Sequence, residues 1–139
     1  DWDQGLLFLN PWQVWLQPPG YVTRMISRHY QPCLIQADVE GPQGGLDVVA
    51  TRSEDGCTLV LQVVNAGDQP VPAIIRFDGF EPARPDAAVE QLEGPLDARN
   101  TADDPMQIAP RSEIWPHRCA DGIARRLFTP RSFTVLRFE

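Results

Sequence analysis

The sequence has no apolar run long enough and free enough of charge to cross a bilayer, and no basic segment leading into an apolar one. A transmembrane helix is excluded as a reading of these residues, and no secretory leader is visible in them, which leaves export of the parent unjudged. Basic side chains are in the minority, 12 Lys and Arg against 19 Asp and Glu, for a formal charge of −7. The arginines are scattered and form no stripe, which excludes a phosphate-backbone partner; neutral or cationic partners fit better. Cysteine is scarce: Cys33, Cys57 and Cys119 stand far apart, with no C-x-x-C pair and no histidine at ligand spacing. That excludes a zinc site, and the odd count leaves at least one thiol without an intrachain partner. Cys33 and Cys57 sit inside apolar alternation and read as small apolar residues within strands. The two histidines, His29 and His117, have no visible partner for acid–base work and read as surface or interface residues. Neither Ser112 nor Ser132 lies in a G-x-S-x-G elbow, so a serine nucleophile is unsupported. No repeat and no low-complexity tract is present. The chain opens Asp1-Trp2-Asp3 without an initiating Met, as expected of a piece cut from something longer.

What is present suits a globular chain. The 139 residues, 42% of them hydrophobic, have room for one domain with a real core and a short extension. Two periodicities divide them. "GLLFLN", Gly5 to Asn10, has the length of a buried strand, and "PWQVWLQ" follows as a loop. Pro18-Pro19 then suits a helix start, since proline at the first helical position gives up only a donor that would be orphaned anyway. Val22, Met25, Ile26 and Tyr30 recur at helical spacing as one apolar stripe, with Arg28 in the last turn where a cation suits the dipole, and Pro32 ends the helix. This is a strand, a loop and a helix, half of a β/α repeat.

From Cys33 onward the period is two. "CLIQADVE" and "LDVVATRS" are candidate strands separated by the turn-forming "GPQGG". Asp55-Gly56 supplies positive-φ residues for a tight hairpin, after which Cys57, Leu59, Leu61 and Val63 share a face. A strand near Ala73 to Phe77, a weaker one in "AAVEQLEG", and a closing hairpin-like pair "IARRLFTP" and "SFTVLRFE" about Thr129-Pro130-Arg131 complete the set. The segment from Pro95 to Glu113 is too rich in turn residues to be regular and is long for a connection. Short strands with Pro and Gly punctuation predict a mainly β chain, an antiparallel jelly-roll-like sandwich.

Two constellations invite a ligand. Trp2, Trp12, Trp15 and Trp115 could stack on sugar rings, but three of them precede the sandwich, and Trp115 reads more readily as a lid over the core. Asp97, Asp103 and Asp104 could offer oxygens to Ca²⁺, yet they lack the alternating spacing and glycine of a calcium loop and read as a solvated acidic loop or an Asx-turn at Asp104-Pro105.

Taken together, "WDQGLLFLNPWQVWLQPPGYV", the helix, "LDVVATRSEDGCTLVLQVVN", "LDARNTADDP" and the closing "FTPRSFTVLRF" resemble the C-terminal part of the α-L-arabinofuranosidases of glycoside hydrolase family 51, over nearly the whole chain. The resemblance implies a (β/α)8 barrel carrying the catalysis and a C-terminal β-sandwich. Residues 1–31 would be the barrel's last strand, loop and helix, and residues 32–139 the sandwich. It further implies retaining hydrolysis by two glutamates, both upstream of this chain. None of Glu40, Glu54, Glu81, Glu90, Glu93, Glu113 or Glu139 takes a catalytic role, and the chain alone is expected to be inactive. Loops after barrel strands build the pocket, so by resemblance Gln17 is a contact to the arabinose and Trp15 its neighbour, a carboxamide offering both donor and acceptor to a hydroxyl. Without the resemblance, Gln17 reads as a cap for the helix that Pro18 begins. No metal or cofactor is implied. The partners implied are the missing barrel and an arabinose-containing saccharide, with an oligomer left open. The competing readings are a free-standing carbohydrate-binding sandwich, which needs an exposed aromatic strip, and a purely structural domain.

Overall fold

The computed structural model of the chain describes residues 5–41 and 45–139; Trp2 and the middle of the "GPQGG" turn lie outside the described residues. Eleven elements follow one another: β1 (Leu7–Leu9), β2 (Val14–Leu16), α1 (Pro18–Arg28), β3 (Cys33–Ile35), β4 (Leu46–Arg52), β5 (Leu59–Asn65), β6 (Val71–Arg76), β7 (Ala87–Glu93), β8 (Arg111–Trp115), β9 (Ile123–Phe128) and β10 (Ser132–Phe138). The chain is mainly β, as its period-two half predicts, and its ladders are antiparallel. A six-stranded sheet in the order β3-β4-β5-β10-β7-β8 faces a two-stranded sheet of β6 and β9.

The six-stranded sheet is apolar on both faces, which is why β5 and β10 read as almost unbroken runs. On one face Leu59, Leu61, Val63, Val89, Leu136 and Phe138 meet Phe128 of β9 in the sandwich core. On the other, Val60, Leu92, Phe133 and Val135 pack with Tyr21 and Met25 of α1. The sheet is thus a middle layer between the small sheet and the helix. Asn65, buried at the end of β5, donates from Nδ2 to the Phe128 carbonyl at 3.2 Å and ties the two sheets together.

Several expectations change. The buried side of α1 is Tyr21 and Met25, while Ile26 and Tyr30 of the expected stripe stay exposed, because the helix meets the sheet through a line one residue off that stripe. The strand in "GLLFLN" shrinks to three residues and pairs with β2, inside the expected loop, rather than lying buried; Leu7 and Leu9 are exposed, since among the described residues β1 joins no sheet beyond its two-stranded ladder with β2. "CLIQADVE" is strand only to Ile35. The Ser53–Thr58 connection is longer than a two-residue hairpin, with Gly56 alone at positive φ and its N–H donating to the Ser53 carbonyl. Thr129-Pro130-Arg131 carries the chain from one sheet to the other instead of closing a hairpin, since both edges of β10 are taken by β5 and β7. Cys33 and Cys57 are exposed: β3 is an edge strand, and Cys57 falls in the turn before β5. His117 is buried, its Nε2 3.0 Å from the Arg84 carbonyl oxygen and its ring against Trp115 and Phe138.

Candidate functional site

Between the apolar hairpin and the helix lies one residue, Gln17, that belongs to neither. Its backbone sits at the N-cap of α1 in extended conformation, and its carbonyl accepts from the N–H groups of Gly20 and Tyr21. Its side chain makes no cap. Instead Nε2 donates to the Asn100 carbonyl at 2.7 Å and Oε1 accepts from the Asn100 N–H at 3.1 Å. Only one orientation of the carboxamide pairs both ends with the backbone, so the geometry fixes which atom is oxygen. Each end of an amide group can form a second hydrogen bond. Gln17, 8% exposed, therefore keeps one N–H and one lone pair beyond those that Asn100 occupies.

Trp15, one face over on β2, donates from Nε1 to the same Asn100 carbonyl at 3.2 Å and stacks on Phe8 with centroids 6.2 Å apart. Both residues singled out in the sequence are thereby drawn onto a single partner. The turn before them is set by Asn10, whose Oδ1 accepts from the N–H groups of Trp12 and Gln13 at 2.9 Å. Gln13 in turn donates from Nε2 to the Ala102 carbonyl. So the tip of the β1–β2 hairpin and the Asn100–Ala102 stretch run side by side.

Asn100 is the residue that sequence reasoning passed over. It lay within the quoted "LDARNTADDP" without a role. A loop with few backbone partners of its own needs some buried polar group to replace them, and an asparagine in its middle is the natural candidate.

The remaining candidates resolve differently. Trp115 ends β8, packs edge-on to Phe138, and carries the Arg126 guanidinium 5.0 Å from its ring centroid. It covers the core, and the face a sugar would use is taken. Trp12 is exposed but sits in the hairpin turn, away from the sandwich strands. In the acidic loop, Thr101 and Asp104 bond reciprocally, N–H to carbonyl and N–H to Oγ1. His29 stands at the helix–sheet interface with its Nε2 2.9 Å from Oε2 of Glu90. Glu90, the most buried of the chain's glutamates, is held by Arg28 and His29 at the C-terminal end of α1, the end opposite Gln17.

No protein-family model and no curated protein sequence matches the chain. Solved structures do. A thermostable family 51 α-L-arabinofuranosidase from Thermotoga petrophila superposes with a TM-score of 0.85 at 26% identity, over 97% of this chain and 31% of that one. The chain matches one part of the family 51 α-L-arabinofuranosidases. An arabinose-bound family 51 α-L-arabinofuranosidase reaches a TM-score of 0.87 over 98% of this chain and 21% of its own, at 16% identity, which speaks for the fold alone. So does the catalytic domain of xylanase C of family 30 from Talaromyces cellulolyticus, at a TM-score of 0.67 and 16% identity over 97% of this chain and 27% of that one. The chain spans about a third of the length of the Thermotoga enzyme. Family 51 likeness places it in a glycoside hydrolase context, and the xylanase shows that the architecture is shared across glycosidase families, so activity has to be argued from the site.

Proposed function

We propose that the chain is the C-terminal part of an α-L-arabinofuranosidase, a retaining glycoside hydrolase releasing terminal arabinofuranose from arabinose-containing polysaccharides. Residues 1–31 are then the last strand, pocket loop and helix of its (β/α)8 barrel, and residues 32–139 its C-terminal sandwich. The observation that carries the reading is the superposition on the Thermotoga petrophila enzyme over 97% of the chain at 26% identity. In such an enzyme one carboxyl protonates the leaving oxygen and a second attacks the anomeric carbon, giving a covalent intermediate that water opens. Both carboxyls lie outside this chain. The chain's part is to contact the sugar: Gln17 offers its free N–H and lone pair to arabinose hydroxyls, and Trp15 forms the neighbouring wall.

Exposed apolar surface supports the same reading. Leu6, Leu7, Leu9 and Val14 are each about half exposed or more, on the hairpin whose other side reaches Gly20. At about 25 cal/mol per Å² such surface calls for a cover, and the proposed cover is the rest of the barrel. The sandwich, which grips α1 through Tyr21 and Met25, braces that barrel from outside. A free-standing carbohydrate-binding module gains nothing from the geometry, since Trp115 is faced by Arg126.

The polypeptide of the complete reading frame is expected to hydrolyse 4-nitrophenyl α-L-arabinofuranoside, and this chain by itself is expected not to. Failure of the complete polypeptide on that substrate, or turnover by the chain alone, sinks the reading. Retention of the chain alone on arabinoxylan would favour the binding-module alternative.

A further inference from the structure

Six hydrogen bonds converge on Asn100, a residue 2% exposed and more than eighty positions from the hairpin it touches. Their division is informative. The backbone of Asn100 serves the two proposed sugar contacts, its carbonyl accepting from Trp15 and Gln17 and its N–H donating to Gln17. Its side chain serves the scaffold: Nδ2 donates to the Leu16 carbonyl at 2.7 Å and to the Ile108 carbonyl at 2.8 Å, and Oδ1 accepts from the Ile108 N–H at 2.8 Å. Both side-chain donors and one acceptor site are thus used.

The link to Ile108 imitates one rung of a β-ladder across a loop that has no ladder there. Ile108 itself packs on the cluster of Tyr21, Met25, Leu92 and Phe133. The N–H and C=O of residue 100 are therefore held rigidly to the middle sheet by the side chain of the same residue. Gln17 has three rotatable bonds before its carboxamide and no cap to hold it. Gripped at both ends by Asn100, the carboxamide loses that freedom, and its unused N–H and lone pair are each held in a fixed direction.

We infer that Asn100 is a positioning residue for the arabinofuranosyl contact: the sandwich, through one loop asparagine, sets the orientation of Gln17 and Trp15 in the sugar pocket. This rests on the arabinofuranosidase reading above. A hydroxyl contact displaced by a fraction of an ångström to an ångström loses a large share of its effect on rate, so the sandwich contributes to turnover as well as to bracing.

The test uses the complete polypeptide and 4-nitrophenyl α-L-arabinofuranoside, with Gln17→Ala, Asn100→Asp, Asn100→Ala and each Asn100 variant combined with Gln17→Ala, all assayed well below their melting temperatures. Asn100→Asp keeps the shape and the acceptor but loses the donations to Leu16 and Ile108. Asn100→Ala avoids a buried carboxyl group should the Asp variant fail to fold. Each Asn100 variant is expected to lower kcat/KM by between about tenfold and a hundredfold. Added to Gln17→Ala, it is expected to lower it much less than it does alone, because Gln17 is then no longer there to position and only the Trp15 contact remains. Losses that multiply in the double variants, or an Asn100 variant with undiminished kcat/KM beside an impaired Gln17→Ala, overturn the inference and leave the function standing. An unimpaired Gln17→Ala removes the sugar contact itself, and the inference with it.

Discussion

His29, which closes α1, places Nε2 2.9 Å from Oε2 of Glu90 in the middle of β7. The neighbouring Arg28 reaches the other oxygen at 3.3 Å. The two contacts are unequal. The Arg28 side chain is 56% exposed, against 14% for His29 and 6% for Glu90. An exposed guanidinium gains little from a carboxylate through water, whereas a group hydrogen-bonded in a nearly dry interface is costly to leave unpaired. Glu90→Ala is expected to destabilise the chain by about 2 kcal/mol, and Arg28→Ala by less than about 0.5 kcal/mol. Urea unfolding of the two variants checks this; equal losses would mean that the arginine, and not the histidine, holds the helix.

Gly20 lies in the first turn of α1, where alanine would ordinarily be the better helix former by about 1 kcal/mol. Here a methyl group would run into the backbone carbonyl oxygen of Leu6 and press on Leu16. That same Leu6 carbonyl accepts from the Gln17 N–H at 3.0 Å, so it has little room to retreat. Gly20→Ala is expected to destabilise by about 1–3 kcal/mol in place of the propensity gain, and thermal unfolding reads the sign. A rise in Tm would show that the hairpin and helix can part at no cost.

The features that arise from local spacing were legible in the sequence. Pro18-Pro19 marks the start of α1 to the residue, and the alternation in "LDVVATR" and "LQVVN" yields β4 and β5 in antiparallel register. The features that depend on which face meets which layer were not. Cys57 continues the alternation of Leu59, Leu61 and Val63, yet the chain turns before it and the thiol is exposed. Val60, on the side of β5 that a half-exposed strand would give to solvent, is buried under the helix. β8 was hidden because its residues carry no apolar alternation: Arg111, Ser112, Glu113 and Ile114 are all exposed on an edge. At the candidate site, Gln17 and Trp15 were singled out by resemblance, whereas Asn100 bonds to Gln17 across a separation of 83 residues, which no local pattern encodes.

Asp55 gives a pH prediction. Its carboxylate accepts from the Ser53 hydroxyl at 2.5 Å and from the Cys57 N–H at 3.0 Å. These bonds, that from Ser53 first, hold its pKa below the ordinary 3.8. A depressed folded-state value means that the folded chain binds fewer protons than the unfolded one, so stability from this group is complete above about 3.8 and fades as pH falls through the folded value. Carboxyl NMR titration is expected to place Asp55 below 3.8 in the native chain, and Ser53→Ala to move it upward. An Asp55 midpoint unmoved by Ser53→Ala would remove the hydroxyl as the cause.

The helix and the hairpin before it are anchored unequally, and that asymmetry tests where the hairpin belongs. Met25 is fully buried among Tyr21, Val60, Phe133 and Val135. Truncating it leaves a cavity, and Met25→Ala is expected to cost about 2–5 kcal/mol in this chain and in the complete polypeptide alike. Leu9, on β1, is 68% exposed. In this chain Leu9→Asn removes little from the core and is expected to change stability by less than about 0.5 kcal/mol. In the complete polypeptide, if β1 lies within a barrel sheet, the same substitution buries an unpaired carboxamide in an apolar layer and is expected to cost about 1–3 kcal/mol or more. Chemical denaturation of both forms gives the comparison. A Leu9→Asn effect equally small in the two would mean that β1 faces solvent in the complete protein, and the exposed leucines of the hairpin would then need a partner other than the barrel.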